Sequence, residues 1–414
     1  DVYKRQPLEG IRVVEMATFI AAPCTARFLA DLGAEVIKVE PPMGDPLRYT
    51  AVNEGRPLDQ KENTSYDLEN AGKTCISLNT KSEEGREALE KLLATADVFI
   101  CNWRQSPLKR AGLDWETLHE KYPKLVYGYV SGYGEKGPDK DLPGFDFTAF
   151  YARGGILGPL RDKNSLPMLT VQGFGDHQVA MNLAAGVLAA LFKAKMTGEG
   201  DHVVVSLFHS AIWDISLMLQ ASQYGADSTQ YPMERWKLGN PLVLCYETAD
   251  GQWLQIAMPQ YDRHYPILMN AMGYPELADD ARYYPQKNLI PNREEFSAWI
   301  TAEFKKKTCD EWCKLLDAND LPYAIAQEWD SLLEDKQAWA SDCFYEMSYS
   351  NGNKRTLVRP PVLFDQMGLP PYERGPYLGE QTKDILGELG YSAEAIDELI
   401  KSGAAIDMDP ALRD

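Results

Sequence analysis

The sequence predicts an α/β fold: a Rossmann-like parallel sheet in a discontinuous large domain, plus a smaller α+β domain. Three observations predict it. Short apolar strands alternate with helical spacing at the start of the chain, a long small-residue helix follows, and from Pro241 the texture changes to closely spaced short strands. At 414 residues the chain is too long for one compact core, so more than one folding unit is expected.

Residues 10–15 read as the first strand, 21–32 as a helix and 33–40 as a second strand, which makes a βαβ unit. The pattern repeats with a strand at 74–78, a helix at 82–95 and strands at 97–102 and 124–130. Strands separated by helices imply a parallel sheet with ligands at its carboxyl ends. The loops there are 17–23, 40–48, 78–81, 102–107 and 131–138.

Residues 173–191 begin Gly-Phe-Gly-Asp-His-Gln and continue as an apolar helix, so apolar all round that it must be buried. A turn at 197–202 and a strand at 203–207 follow. Residues 223–240 look like a linker, and 243–248 and 253–258 form a hairpin around Ala249-Asp-Gly-Gln252. Helices run to about residue 318. Proline-rich passages at 359–361 and 369–371 then lead to a helix ending near 389, which returns to the large domain. The expected division is 7–207 and 346–414 for the large domain, 232–326 for the small one, and linkers at 208–231 and 327–345.

No apolar run is read as reaching the length of a membrane span. A formal charge of −19 argues against nucleic-acid or anionic-membrane partners, and means that any polyanionic ligand must be met by local Lys and Arg. The seven cysteines are odd in number and scattered. Cys309 and Cys313 have no second ligand pair nearby, so reduced thiols in a cytoplasmic protein are expected and no metal site. Residues 1–6 fit nothing that follows and read as a truncation or assembly scar; no signal peptide is read.

Glu40 ends the second strand as a ribose-binding acid would, but the first turn, Thr18-Phe-Ile-Ala-Ala-Pro23, has no glycine. A backbone without glycine there cannot close on a pyrophosphate, so dinucleotide binding is disfavoured. No Gly-x-Ser-x-Gly elbow supports a serine hydrolase. Lys38, Arg48, Lys81, Arg104 and Arg110 fall near strand ends, with Trp103 adding a planar surface. Such a set suits an adenine-and-phosphate ligand, and ordinary solvated charge equally well. His177 is structural or substrate-lining; His119, His202 and His264 are expected in solvated roles. Asp176, flanked by Gly173 and Gly175, is either the cap of its helix or a reagent.

Taken together, several ordered motifs resemble the class III CoA-transferase family, the formyl-CoA and carnitine CoA-transferase group. They are Pro7-Leu-Glu-Gly-Ile-Arg-Val-Val-Glu15, Gly33-Ala-Glu-Val-Ile-Lys-Val-Glu40, Gly44-Asp-Pro-Leu-Arg48, Asn70-Ala-Gly-Lys-Thr74, Leu78-Asn-Thr-Lys81, Gly173-Phe-Gly-Asp176 and Thr197-Gly-Glu-Gly200. The segments 63–70, 133–150, 175–178 and 334–340 narrow the resemblance to clostridial 2-hydroxyacid CoA-transferases of amino-acid fermentation.

The resemblance implies that Asp176 is a nucleophile forming acyl anhydride and aspartyl–CoA thioester intermediates, with acyl-CoA as substrate and no permanently bound cofactor. It implies CoA contacts at Ala21, Leu78, Lys81, Asn102, Trp103 and Arg110. Pro41 stands where the family has an arginine, so Lys38 or Arg104 would replace that contact. Backbone N–H groups near Gly173–Gly175 could stabilise an oxyanion. Phe145, Phe174 and His177 would line the acyl pocket, among the aromatic Phe147, Phe150 and Tyr151. The family's glycine-run shielding loop is absent, residues 240–246 standing in that region, so water must be excluded differently. An interlocked homodimer is also implied. Two alternatives share the fold. A 2-methylacyl-CoA racemase would need a proton-exchanging residue where Phe145 stands, and a non-catalytic CoA-binding subunit would have no use for Asp176. The implied reaction moves CoA from an aryl-acrylyl-CoA, such as cinnamoyl-CoA, to a 2-hydroxy acid such as (R)-phenyllactate. Other acceptors are 2-hydroxyisocaproate, a carnitine-like acid or a bile acid.

Overall fold

Strands buried on both faces and helices buried on one build the larger part of the molecule. The computed structural model describes residues 6–225, 231–232, 234–365, 367–368 and 373–413. In chain order the first elements are β1 (Arg12–Met16), α1 (Ala21–Asp31), β2 (Glu35–Glu40), α2 (Thr64–Asn70), β3 (Thr74–Leu78), α3 (Glu83–Leu93) and β4 (Val98–Cys101). Next come α4 (Gln105–Ala111), α5 (Trp115–Lys121), β5 (Val126–Ser131), α6 (Phe174–Thr197), β6 (His202–Ser206) and α7 (Leu207–Asp214). The local chemistry is plain in α3. Ser82 caps it by accepting from the Gly85 N–H, Glu83 and Glu84 favour its positive end, and Ala88, Leu89, Leu92 and Leu93 form the buried stripe.

The sheet has the order β12-β3-β2-β1-β4-β5-β6, where β12 is Ala405–Ile406. Every neighbouring pair from β3 to β6 is parallel, in register Val14↔Ile37 and Val14↔Phe99 at the centre. The expected all-parallel sheet therefore carries one correction: β12 lies antiparallel beside β3, with Ala405 opposite Leu78. The helix Ala393–Ser402 delivers it, and Ile396 and Leu399 join the same core as Leu89 and Leu92.

Helix α6 starts and ends at glycines in the left-handed region, Gly173 (φ 80°) and Gly198 (φ 79°). Over 24 residues, with a mean hydropathy of 1.4 in its most apolar window, it is long and apolar enough to cross a membrane by length and composition. That overturns the reading that no apolar run reaches span length. Here it is a core helix: Val179, Ala180, Leu183, Ala184 and Val187 are buried, and it packs on α1, β5 and β6.

The chain divides into two units. One comprises the residues up to Ile156, Leu169–Leu217, and Lys336 onward; the other comprises Leu157–Met168 and Met218–Asp335. Residues 157–168 thus leave the large domain expected to hold them, because Lys163 pairs with Glu234 and Asp162 with Arg235 inside the second unit. The first expected linker is largely helical, as α7 and Ser216–Ala221, and residues 226–230 of it lie outside the described residues. The second holds the short helices Trp329–Leu333 and Lys336–Ala340. The proline passage 369–371 and residues 1–5 of the expected scar also lie outside the described residues.

The second unit contains the antiparallel sheet β7 (Cys245–Glu247), β8 (Trp253–Ile256) and β9 (Tyr323–Ile325). Its core stacks Tyr246 on Phe304 (4.5 Å) and Phe304 on Trp312 (4.4 Å). Pro241 and Leu242 are buried in it, so the segment at 240–246 serves this core. In the first unit a hairpin of β10 (Phe344–Ser348) and β11 (Lys354–Val358) also escaped the sequence reading.

Candidate active site

Strand order reverses direction at β1 and β4, both of which border the sheet's centre, so a crevice opens beyond their carboxyl ends. The loops there are laced together. The Thr18 N–H donates to Asn102 Oδ1 (3.1 Å), and Asn102 Nδ2 donates back to the Thr18 carbonyl (2.8 Å). Phe19 takes a positive φ of 64°, costly for a non-glycine residue, and its N–H is held by Asp45 Oδ1 (3.0 Å). A cleft of about 260 Å³ opens here, lined by Thr18–Ala21, Asn102 and Arg104 on one side and by Lys140, Phe145, Asp146 and Asp176 on the other.

Asp176 reaches this cleft from the first turn of α6. It does not cap the helix: the cap position is Gly173, with no side-chain cap. Behind it, Asp146 begins a π-helical segment (Asp146–Ala152), and its Oδ1 accepts from the Gly175 N–H (3.1 Å). That commits one of the N–H groups expected to serve an oxyanion. The approach is so close that a Cβ on Gly175 would lie 2.4 Å from Asp146 Oδ1 and 2.3 Å from Phe150 Cγ, which explains the glycine.

Burial, then the carboxylates of Asp146 and Glu69, push the Asp176 carboxyl up to about 7. Burial pushes Asp146 up to about 6, against the opposing hydrogen bonds from Gly173 and Gly175. His177 Nε2 lies 2.8 Å from Oε1 of Glu69, a buried residue of α2. Burial works against the charged imidazole, but the Glu69 hydrogen bond and charge outweigh it and raise the ring above its ordinary value. Cys24 Sγ completes a group whose donor atoms all lie within 4.8 Å of one another. His177 is spent on Glu69, and the neighbouring Lys73 ammonium opposes a cation. The group is a hydrogen-bonded cluster more than a metal cage.

Two of the cations expected near the ligand are elsewhere. Lys38 is fully buried, with Nζ 2.6 Å from Glu15 Oε1, 3.0 Å from Asp45 Oδ2 and 3.0 Å from the Ala17 carbonyl. It cannot replace the family arginine. Arg48 grips Glu40 through Nε (2.9 Å) and Nη2 (2.8 Å), and the Tyr66 hydroxyl adds a bond to Glu40 at 2.7 Å. Burial would raise Glu40, yet Arg48, Lys38 and Tyr66 together hold it down at about 2. Glu40 is thus engaged inside the protein and has no ribose to bind.

Of the residues expected at the site, Ala21, Asn102, Arg104, Phe145 and Asp176 line one cleft. Phe145 is 56% exposed and meets Phe19 edge-on. The others lie apart. Leu78 is buried in the core and paired with β12, Trp103 packs on that core, and Lys81 is exposed. Arg110 is exposed on α4, donating to Ser106 Oγ (2.7 Å). Phe174 is exposed beside the buried Phe150 and Tyr151. His119 and His202 are not simply solvated: both stack on Trp115, at 4.2 and 5.3 Å, because burying three planar rings together removes apolar surface from water. Sequence reading missed Lys140 and Glu69. Lys140 sits in the loop after β5, a strand whose carboxyl end faces the same crevice, and that was the available signal.

Comparison with known proteins agrees with this geometry. The model of CoA-transferase family III matches residues 8–382. The chain is 52% identical over 393 residues to cinnamoyl-CoA:phenyllactate CoA-transferase of Clostridium sporogenes, covering 95% of each chain. It is 41% identical over 390 residues to (R)-2-hydroxy-4-methylpentanoate CoA-transferase of Clostridioides difficile, covering 94% of this chain and 97% of that one. Among solved structures, a CAIB/BAIF family protein from Brucella suis is similar with a TM-score of 0.78 at 27% identity, over 93% of this chain and 99% of the other. A strand order that opens a crevice, an acid at a glycine-flanked helix start and these likenesses converge: the chain belongs to CoA-transferase family III and is a CoA-transferase.

Proposed function

We propose that the enzyme moves CoA from an aryl-acrylyl thioester, cinnamoyl-CoA, to a 2-hydroxy acid such as (R)-phenyllactate, with Asp176 as nucleophile. The observation that carries this is the placement of Asp176: a half-buried carboxylate, in the switch-point cleft, facing the aromatic Phe19 and Phe145. The relative at 52% identity, named for cinnamoyl-CoA and phenyllactate, supports that choice of substrates.

The chemistry balances without a redox or metal partner. Asp176 attacks the thioester carbonyl and the C–S bond breaks, giving an acyl–aspartyl anhydride and CoA thiolate. The thiolate attacks the aspartyl carbonyl, releasing cinnamate and leaving an aspartyl–CoA thioester. The phenyllactate carboxylate displaces the thiolate to form a second anhydride. Attack by the thiolate on its phenyllactyl carbonyl yields phenyllactyl-CoA and restores Asp176. Arg104 and Lys140 supply positive charge at the cleft for the CoA phosphates, working against the acidity of the whole chain. Lys81, Trp103 and Arg110 would extend that contact towards the nucleotide end, and the backbone of Leu78 would do so in place of its buried side chain. Phe145 cannot exchange a proton, which disfavours racemisation through that position.

We assign the enzyme a homodimer as well. Phe192 (71% exposed) and Met196 (72%) on α6, with Trp213 (70%) on α7 and Leu217 (78%), are large apolar side chains left in water that a partner chain would cover. Analytical ultracentrifugation tests this, a monomer mass refuting it. For the reaction, the test is exchange between cinnamoyl-CoA and a panel of phenyllactate, indolelactate, 2-hydroxyisocaproate and carnitine. Phenyllactate is expected to lead; a clear preference for carnitine would reject the substrate assignment. Mass spectrometry of the enzyme mixed with cinnamoyl-CoA and quenched is expected to find CoA on the peptide bearing Asp176.

A further inference from the structure

We propose that Glu69 is a positioning residue acting on Asp176 through His177: its carboxylate fixes the His177 ring through the 2.8 Å Nε2–Oε1 bond and keeps that ring charged beside the nucleophile. The inference rests on the assignment of Asp176 as nucleophile.

The geometry makes the pair interdependent. Glu69 sits in the last turn of α2 at 2% exposure, and its Oε2 is buried with no hydrogen-bond partner among the described residues. A buried carboxylate so thinly bonded needs a cation, and the imidazolium is the one that touches it. The ring, half-exposed, has this bond as its anchor. Gly173, in its left-handed conformation, leaves room where a Cβ would lie 3.7 Å from His177 Cε1 and 3.1 Å from Ile20 Cδ1. His177 is thereby tethered at one end to α2.

The groups facing this point come from several elements. They are Cys24 on α1, Glu69 at the end of α2, Lys73 in the turn after it, and Asp146 on the π-helical segment. Burial, Asp146 and Glu69 all disfavour charge on Asp176, and His177 favours it. Lys73 is committed to Glu15, Asn70 and the Pro23 carbonyl. A protonated His177 therefore favours the ionised nucleophile, and Glu69 acts twice, holding that proton in place while repelling Asp176 directly.

Two variants and two readouts test this. In Glu69→Gln, the His177 imidazole followed by NMR is expected to titrate about one unit lower, since a neutral amide no longer holds the charged form. In His177→Gln, the acid limb of kcat/KM for CoA exchange is expected to move up by about one unit. That is about a tenfold loss at pH 6, shrinking as pH rises past 8. Glu69→Gln is expected to leave the limb in place or move it down, because the Glu69 repulsion on Asp176 that it removes outweighs the His177 attraction that it weakens. The double variant should return part of the His177→Gln shift, since the repulsion then goes with the attraction, and Glu69→Asp should restore part of the His177 titration. An unmoved His177 titration in Glu69→Gln overturns the proposal, as does an unmoved acid limb in His177→Gln. The latter variant alters a half-exposed side chain, so it stays informative where Glu69→Gln fails to fold. Exchange activity surviving in Asp176→Ala would instead refute the nucleophile assignment and leave the Glu69–His177 bond standing.

Discussion

Two charge-rich regions lie at the carboxyl ends of the same sheet, and they are built on opposite principles. Behind β1 and β2, Glu15, Lys38, Asp45 and Lys73 form a closed network in which both ammonium groups have carboxylate partners at 2.6–3.0 Å. At the cleft, Asp146 and Asp176 lie side by side, with the buried Glu69 and a single imidazole, His177, behind them. Compensated charge fixes the loops, whereas burial without a matching cation raises the carboxyls of Asp146 and Asp176.

The largest expected contrast comes from deleting one member of each region. Asp176→Ala should lower the exchange rate by roughly 10³-fold or more with little change in unfolding free energy. Lys38→Met should do the reverse, costing about 3–5 kcal/mol by stranding Glu15 and Asp45 in the interior, as read by urea unfolding. Equal stability losses in both would erase the distinction between the regions. Gly175→Ala should cost about 10²-fold in kcat, because the new Cβ must displace Asp146 or Phe150 and shift the first turn of α6.

A pH series sharpens the comparison further. Asp176 is protonated below about 7, so kcat/KM should rise with pH through that value. Glu40 carries the opposite sign. Its carboxyl is held at about 2, so its contribution to stability is complete above the ordinary carboxylate range and is lost as pH falls towards 2. Activity should therefore vanish on acidification well before the Glu40–Arg48 pair gives way, as fluorescence and exchange assays on one sample would show. The smallest effect is expected for Arg104→Ala, about 1 kcal/mol in KM for the CoA donor, since this side chain is exposed.

The sheet's strands, α1, α3 and the long α6 were legible because their apolar spacing is regular. The glycines beside Asp176 marked a close approach, and the structure places that residue in the cleft lining. The two-residue β12 left no period to read, and β11, Lys-Arg-Thr-Leu-Val, shows too little alternation to declare itself. Lys38 misled for an instructive reason. A lysine near a strand end looks like a ligand for phosphate, but β2 is central in a parallel sheet and covered on both faces. A charge in such a strand must find its partners indoors. Glu69 stayed hidden because its meaning depends on a histidine 108 residues away in sequence.

The placement of β12 governs when the protein can finish folding. Residues 218–335 emerge from the ribosome as an uninterrupted stretch and can close their own core at once. The large sheet has to wait, with the edge of β3 bare, until Ala405 and Ile406 have been synthesised and paired to it. Until then the unit that carries Asp176 offers an open strand to any neighbour, which makes the two-residue β12 a safeguard against aggregation as much as a piece of architecture.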